Sequence, residues 1–172
     1  MSIHPDPFPG FSMSVHACRP TSRGSIHIQS ADPFQPPAIR PNYLATGLDV
    51  AEAVAGARLL RALAASAPLR EVIEAETVPG PAHASDSALL EDFRARADTI
   101  FHPVGTCAMG PDPATSVVDA RLRVYGVQGL RVIDASVFPT ITSGNTNAPT
   151  VMVAEKGAQM LLEDRIPTAG AG

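Results

Sequence analysis

The chain has 172 residues, of which 45% are hydrophobic and 17% charged, with a formal net charge of −4. That supplies enough apolar material for the core of one ordinary domain, and the mild acidity argues against nucleic acid or an anionic membrane surface as partner. Seventeen prolines and thirteen glycines point to turns and extended segments rather than a helical bundle.

No apolar run approaches the ~18 residues of a membrane-spanning helix. The opening MSIHPDPFPGF lacks the basic start and apolar centre of a secretory signal. Only Cys18 and Cys107 occur, too few for a disulfide framework, so a reducing, cytoplasmic setting is the expectation.

Residues 11–18 alternate, with Phe11, Met13, Val15 and Ala17 on one side. After the turn-forming PTSRG, Ile26 and Ile28 alternate with Ser25, His27 and Gln29. The spacing predicts two antiparallel strands joined as a hairpin. The following ADPFQPPAIRPNYL predicts an extended loop, because proline lacks the N–H that a sheet interior needs. From Leu48 to Ala65 apolar residues recur every three to four positions, which predicts a helix ended by Pro68. Residues 76–84 predict a loop, and Asp86 to about Thr99 a second helix, capped by Ser85 or Asp86 and burying Leu89, Leu90 and Phe93. Leu122 with Val124, and Leu130 with Val132 and Ile133, are short strand candidates between Gly126 and Gly129. A last helix starts near Asn147–Pro149 and runs to about Glu163, with proline in its favoured first turn.

Three polar clusters have chemical potential. In FHPVGTCAMG, His102 precedes Pro103 and a glycine turn; histidine is the side chain most easily poised as a base near neutrality, although a half-buried loop histidine is the commoner role. In SGNTNAPT, residues 143–150, Asn and Thr are ordinary helix caps, yet a helix N-terminus also offers unpaired N–H groups to negative charge, and Asn145 and Asn147 can hydrogen-bond a ligand. In RVIDASVFP, Asp134 sits where an apolar strand ends, either as a simple cap or as a ligand contact at a strand's carboxyl end. His4, His16, His27 and His83 carry less: His16 and His27 could pair across the hairpin, more often a solvated face than a site. No His/Cys/Asp/Glu spacing suggests a metal site, and Cys107 reads as a small apolar residue more readily than as a nucleophile. The sequence contains no G-x-G-x-x-G turn and no phosphate loop.

Taken in order, HPVGTCAMG, VVDARLRVYGVQGLRVIDASVFP and TSGNTNAPTVMVAEKGA strongly resemble the C-terminal end of the glucose–methanol–choline (GMC) flavoprotein oxidoreductases, the choline-dehydrogenase-like branch above all. The earlier RPTSRGSIHIQSADPFQPPAIRPNYL resembles the same family's substrate-domain strands and following loop. The resemblance implies an α+β fold: antiparallel substrate-domain strands with packed helices, plus the last strand and helix of an FAD-binding α/β domain whose N-terminal Rossmann unit this chain does not contain. It places the last part of the substrate domain in residues 1–100, the catalytic turn and the end of the flavin domain in 101–163, and a flexible tail in 164–172. It implies FAD as cofactor, a small alcohol as substrate, the missing FAD-binding region as partner, and no metal. His102 matches the family's histidine beside the flavin, ascribed the role of base toward the alcohol. Asn145 matches its polar companion, Asp134 and Ala135 the segment nearing the flavin's phosphate–ribityl part, Asn147 and Ala148 the helix start facing its pyrimidine ring, and Phe101 a position lining the substrate pocket. The histidine and asparagine clusters are expected to converge. Without the glycine-rich half the chain alone is expected not to turn over. A non-catalytic remnant, or a module that pairs with a separate flavin-binding chain, are the alternatives; both leave the apolar faces of GLRVIDA and of the last helix uncovered.

Overall fold

The computed structural model describes residues 7–165; His4 and the residues after Arg165 lie outside them. The chain divides into two compact units, each interrupted in sequence: residues up to Ala17 with Leu44–Ala97, and Cys18–Tyr43 with the chain from Asp98 onward.

The first unit is helical. Helix α1 spans Gly47–Ala64, where alanine and leucine favour helix and the Thr46 hydroxyl accepts the Asp49 N–H at 3.3 Å as an N-cap. The helix ends at Ala64, one residue short of the expected Ala65, and Pro68 follows. That proline sits in the first turn of a separate short helix, α2, Ala67–Arg70, a position that needs no N–H. Helix α3 spans Asp86–Arg96, three residues shorter than expected, with Ser85 as its cap, accepting from the Ala88 N–H at 3.2 Å. Its buried residue is Leu89; Leu90 and Phe93 are half-buried. The α1 and α3 helices pack together, and Arg58 pairs with Asp86. Arg61 orders the 76–84 loop: it donates to the Glu76 carboxylate at 2.8 Å, the Gly80 carbonyl at 3.0 Å and the His83 carbonyl at 2.6 Å.

The expected hairpin of residues 11–18 with 25–29 does not form. Strand β1, Ser25–His27, pairs antiparallel with β2, Ala38–Arg40, in the register Ile26 opposite Ile39 and His27 opposite Ala38. His27 therefore faces an alanine across the ladder rather than His16. Alternation reported a sided segment but not its partner: Val15 lies against α1, where a Cβ on Gly56 would stand 2.8 Å from its Cγ1. The second strand falls inside the proline-rich stretch assigned to loop. Pro37 and Pro41 only bracket it, and the three residues between them keep the N–H groups a short ladder needs.

In the second unit, the expected strands of Leu122 with Val124 and of Leu130 with Val132 and Ile133 do not form; the described residues there make single-residue bridges, Val118 with Met109 and Val124, and Arg123 with Arg131. Leu122, almost fully buried, has φ 64, a left-handed conformation that interrupts a ladder. Asp119 holds it there: one carboxylate oxygen accepts the backbone N–H of Arg121 at 2.8 Å and of Arg123 at 3.0 Å, and the Leu122 N–H reaches the Asp119 carbonyl at 2.9 Å. The core joins Val118, Leu122, Val137, Phe138 and Val153. The last belongs to α4, Asn147–Arg165, which buries Val153 and Gly157 on one side. Its C-terminal end is tied down by Asp164, which pairs with Arg121 at 2.7 Å and with Arg131. On its other side Val151, Met152 and Leu162 are exposed, Leu162 by 64%.

These carboxylates set the acid response. Burial works against the Asp119 charge, but the Arg123 guanidinium and the two backbone N–H groups outweigh it and hold the carboxyl below its ordinary value. The hydrogen bond from Arg131, with the charge of Arg121, holds Asp164 below its ordinary value. A carboxyl lowered in the native state stabilises fully above its unfolded value of about 4 and loses that contribution as pH falls through the native one. Thermal unfolding is therefore expected to be flat above about pH 5 and to weaken steadily below about pH 4. Asp119→Asn, which keeps an acceptor oxygen but no charge, should show a shallower acid decline; an identical slope would remove Asp119 as a source of it.

Candidate active site

The site is built on two turns of the second unit. Thr99 Oγ1 accepts the Phe101 N–H at 3.0 Å, and Phe101 adopts φ 60 and is 77% exposed. A bulky side chain at positive φ is strained, and such strain concentrates at functional positions. His102 follows, half-buried. Pro103 then keeps the backbone extended at His102, and Gly105, at φ 87, turns the chain where a side chain would not be tolerated. From Cys107 the chain is laced into the core. The Cys107 N–H donates to the Ser136 carbonyl at 3.0 Å, and the Met109 N–H to the Val137 carbonyl at 2.8 Å.

The second turn leads into α4. Arg19 reaches Ser143 Oγ at 3.3 Å, and Thr142 Oγ1 donates to the Gly144 carbonyl at 3.0 Å. Asn145, Asn147 and Ala148 are exposed, whereas Thr146 between them is buried, 7% exposed. The Thr146 carbonyl accepts from the Thr150 N–H at 3.0 Å and from Thr150 Oγ1 at 2.6 Å, which starts the helix. Thr146 Oγ1 stands 3.0 Å from His102 Nδ1.

The structure thus joins the His102 turn to the Asn145–Asn147 turn through Thr146, a residue that sequence reasoning passed over. Its signal is local: a threonine immediately before a helix whose third residue is Pro149. The Asp134–Val137 segment joins the same turn through backbone bonds to Cys107 and Met109. Asp134 caps the 3-10 turn Ala135–Val137, accepting the Ser136 N–H at 2.8 Å, so one of its oxygens is already engaged. Among the described residues no group of three His, Cys, Asp or Glu side chains is placed to hold a metal ion, and no helix is long and apolar enough to cross a membrane.

Comparison with known proteins gives this geometry a family. A C-terminal GMC oxidoreductase model matches residues 20–154. The chain is 46% identical over 155 residues to an alcohol dehydrogenase [acceptor] of Pseudomonas putida, covering 89% of this chain and 28% of the relative. It is 43% identical over 162 residues to the mitochondrial choline dehydrogenase of Mus musculus, covering 90% and 27%. The solved structure of a variant of Aspergillus oryzae RIB40 formate oxidase, from work on the effect of mutation on its FAD modification, superposes with a TM-score of 0.80 at 33% identity, covering 85% of this chain and 26% of that one. The chain spans little more than a quarter of the length of these proteins. With the family model matching well over half of its residues, the chain belongs to the GMC oxidoreductase family.

Proposed function

We propose that this chain forms the substrate side of an FAD-dependent alcohol oxidoreductase, acting together with an N-terminal FAD-binding region. The observation that carries the proposal is the contact between His102 and Thr146, which ties the imidazole to the turn that bears the exposed Asn145 and opens α4.

The residues present fit one part of the cofactor. Asn147 and Ala148 open α4 and are exposed. The first-turn N–H groups of a helix have no intrahelical acceptor and carry partial positive charge, which suits the electron-rich edge of a flavin ring. Nothing in the sequence supplies the glycine-rich turn that cradles a dinucleotide pyrophosphate. Bound FAD supplies the acceptor for the hydride leaving the alcohol carbon. His102 takes the hydroxyl proton, so the C–O bond can become a carbonyl as the hydride departs. Asn145 holds the oxygen through its amide N–H while negative charge develops there, and the exposed Phe101, next to His102 in the chain, is available to line the substrate. The uncovered apolar side of α4 supports packing against the FAD-binding region.

In a flavoprotein that carries this chain as its C-terminal region, the yellow absorbance is expected to bleach under anaerobic conditions on addition of a small primary alcohol. A flavin-loaded protein that no alcohol of a broad panel bleaches would overturn the proposal.

A further inference from the structure

Thr146 occupies the position just before α4 and is buried, yet it does not complete the usual helix cap. A capping threonine accepts from the second or third helical N–H. The third residue here is Pro149, which has none, and among the described residues a hydrogen-bond partner of Thr146 Oγ1 is His102 Nδ1, 3.0 Å away. The helix is instead started by the Thr146 carbonyl, which accepts from Thr150. The Thr146 hydroxyl is thus left for the imidazole, to accept from Nδ1–H or to donate to a bare Nδ1. With Nδ1 engaged by the protein, Nε2 is the ring nitrogen left to meet substrate.

We propose that Thr146 is the positioning residue of His102: its Oγ1 accepts the Nδ1 proton, holds the neutral ring in the Nδ1–H tautomer, and leaves the Nε2 lone pair to receive the substrate's hydroxyl proton. The role of Nε2 rests on the alcohol-oxidation proposal above; the tautomer does not. The proton balance is simple. The substrate O–H bond breaks, an Nε2–H bond forms, and the Nδ1–H stays on Thr146, giving an imidazolium with both N–H groups partnered. In the opposite arrangement the threonine hydroxyl donates to Nδ1, Nε2 carries the proton, and the neutral ring cannot act as a base at that atom.

Long-range proton–nitrogen NMR of the full chain, with 15N-labelled histidine and at a pH where imidazole is neutral, reads this directly. The His102 signals are identified by their loss in His102→Gln. One tautomer with the proton on Nδ1 is expected. Thr146→Val should shift the population about fivefold toward Nε2–H, the ratio that a hydrogen bond of ordinary net strength supports, and Thr146→Ser should restore it. A wild-type proton on Nε2, or a Thr146→Val ring unchanged from wild type, overturns the proposal. If Thr146→Val does not fold, the wild-type and Thr146→Ser spectra still decide. An Nε2–H result leaves alcohol oxidation standing with His102 as a hydrogen-bond donor, whereas a failure to bleach removes alcohol oxidation and leaves the tautomer untouched.

Discussion

His102→Ala, in a flavoprotein that carries this chain as its C-terminal region, is expected to slow anaerobic flavin reduction by alcohol by roughly 10²–10⁴-fold, the usual contribution of a positioned general base. The effect is large because no neighbouring side chain can replace the ring. Asn145 has no titratable group, and Thr146 and Thr150 are hydroxyls too weakly basic to take an alcohol's proton. It should fall on the rate of reduction at saturating alcohol, not on alcohol binding, because the ring's largest contribution comes as the proton transfers. His102 is half-buried in a turn and its ring bonds one hydroxyl, so the variant should retain its fold and its flavin, checked by the ratio of flavin to protein absorbance. Asn145→Ala should cost less, about 10–100-fold at a loss of ~1.5–3 kcal/mol for a hydrogen bond to developing charge. Stopped-flow absorbance under anaerobic conditions measures both. A His102→Ala protein that is fully flavin-loaded and reduced at the wild-type rate would remove His102 as the base.

The sequence foretold some parts of this structure for reasons that can be named. The long helices α1 and α4 were legible because their apolar spacing persists over four or more turns, and Ser85 announced α3 as a cap. The α3 helix ends early because Ala97, with φ −62 and ψ 142, turns extended before Thr99, a boundary that periodicity alone does not fix. Residues 11–18 went wrong at the level of partner choice: the same alternation serves a strand in a ladder and an extended segment lying on a helix, and only the small Gly56 surface of α1 distinguishes them. Between Asp119 and Ile133, β-branched residues suggested strands, but the carboxylate of Asp119 imposes tight local turns that propensity does not register. At the site, His102 and Asn145 stood out through the order of motifs. Thr146 did not, because a threonine before a helix has so common a structural use that only its distance to the imidazole reveals another.

Gly157→Val is expected to destabilise the fold by about 1–3 kcal/mol, the cost of forcing extra methyl groups into a filled core, lowering the thermal midpoint by roughly 3–10 °C for a chain of this size. A Cβ at Gly157 would stand 2.8 Å from Ile133 Cγ2, 2.9 Å from Ile133 Cδ1 and 3.2 Å from Leu122 Cδ1. Neither neighbour retreats easily. Leu122 is held in its left-handed conformation by the Asp119 turn, and Ile133 is stiff at its branched Cβ. The milder variant is Gly157→Ala: its Cβ already makes these contacts and must displace Ile133, but alanine gains about 1 kcal/mol of helix propensity, which offsets part of that cost. Valine adds two methyl groups and regains less propensity, so packing wins. The strain has a consequence at the other end of α4. Gly157 lies about 15 Å along the helix from Asn147, at 1.5 Å per residue, and a helix lifted at this contact carries Thr146 away from His102 as a lever. Gly157→Val should therefore also weaken the preference of the His102 ring for one tautomer, and Gly157→Ala should weaken it less. A Gly157→Val chain as stable as wild type would mean that α4 does not rest on Leu122 and Ile133, and that the contact between Thr146 and the imidazole is not set by this packing.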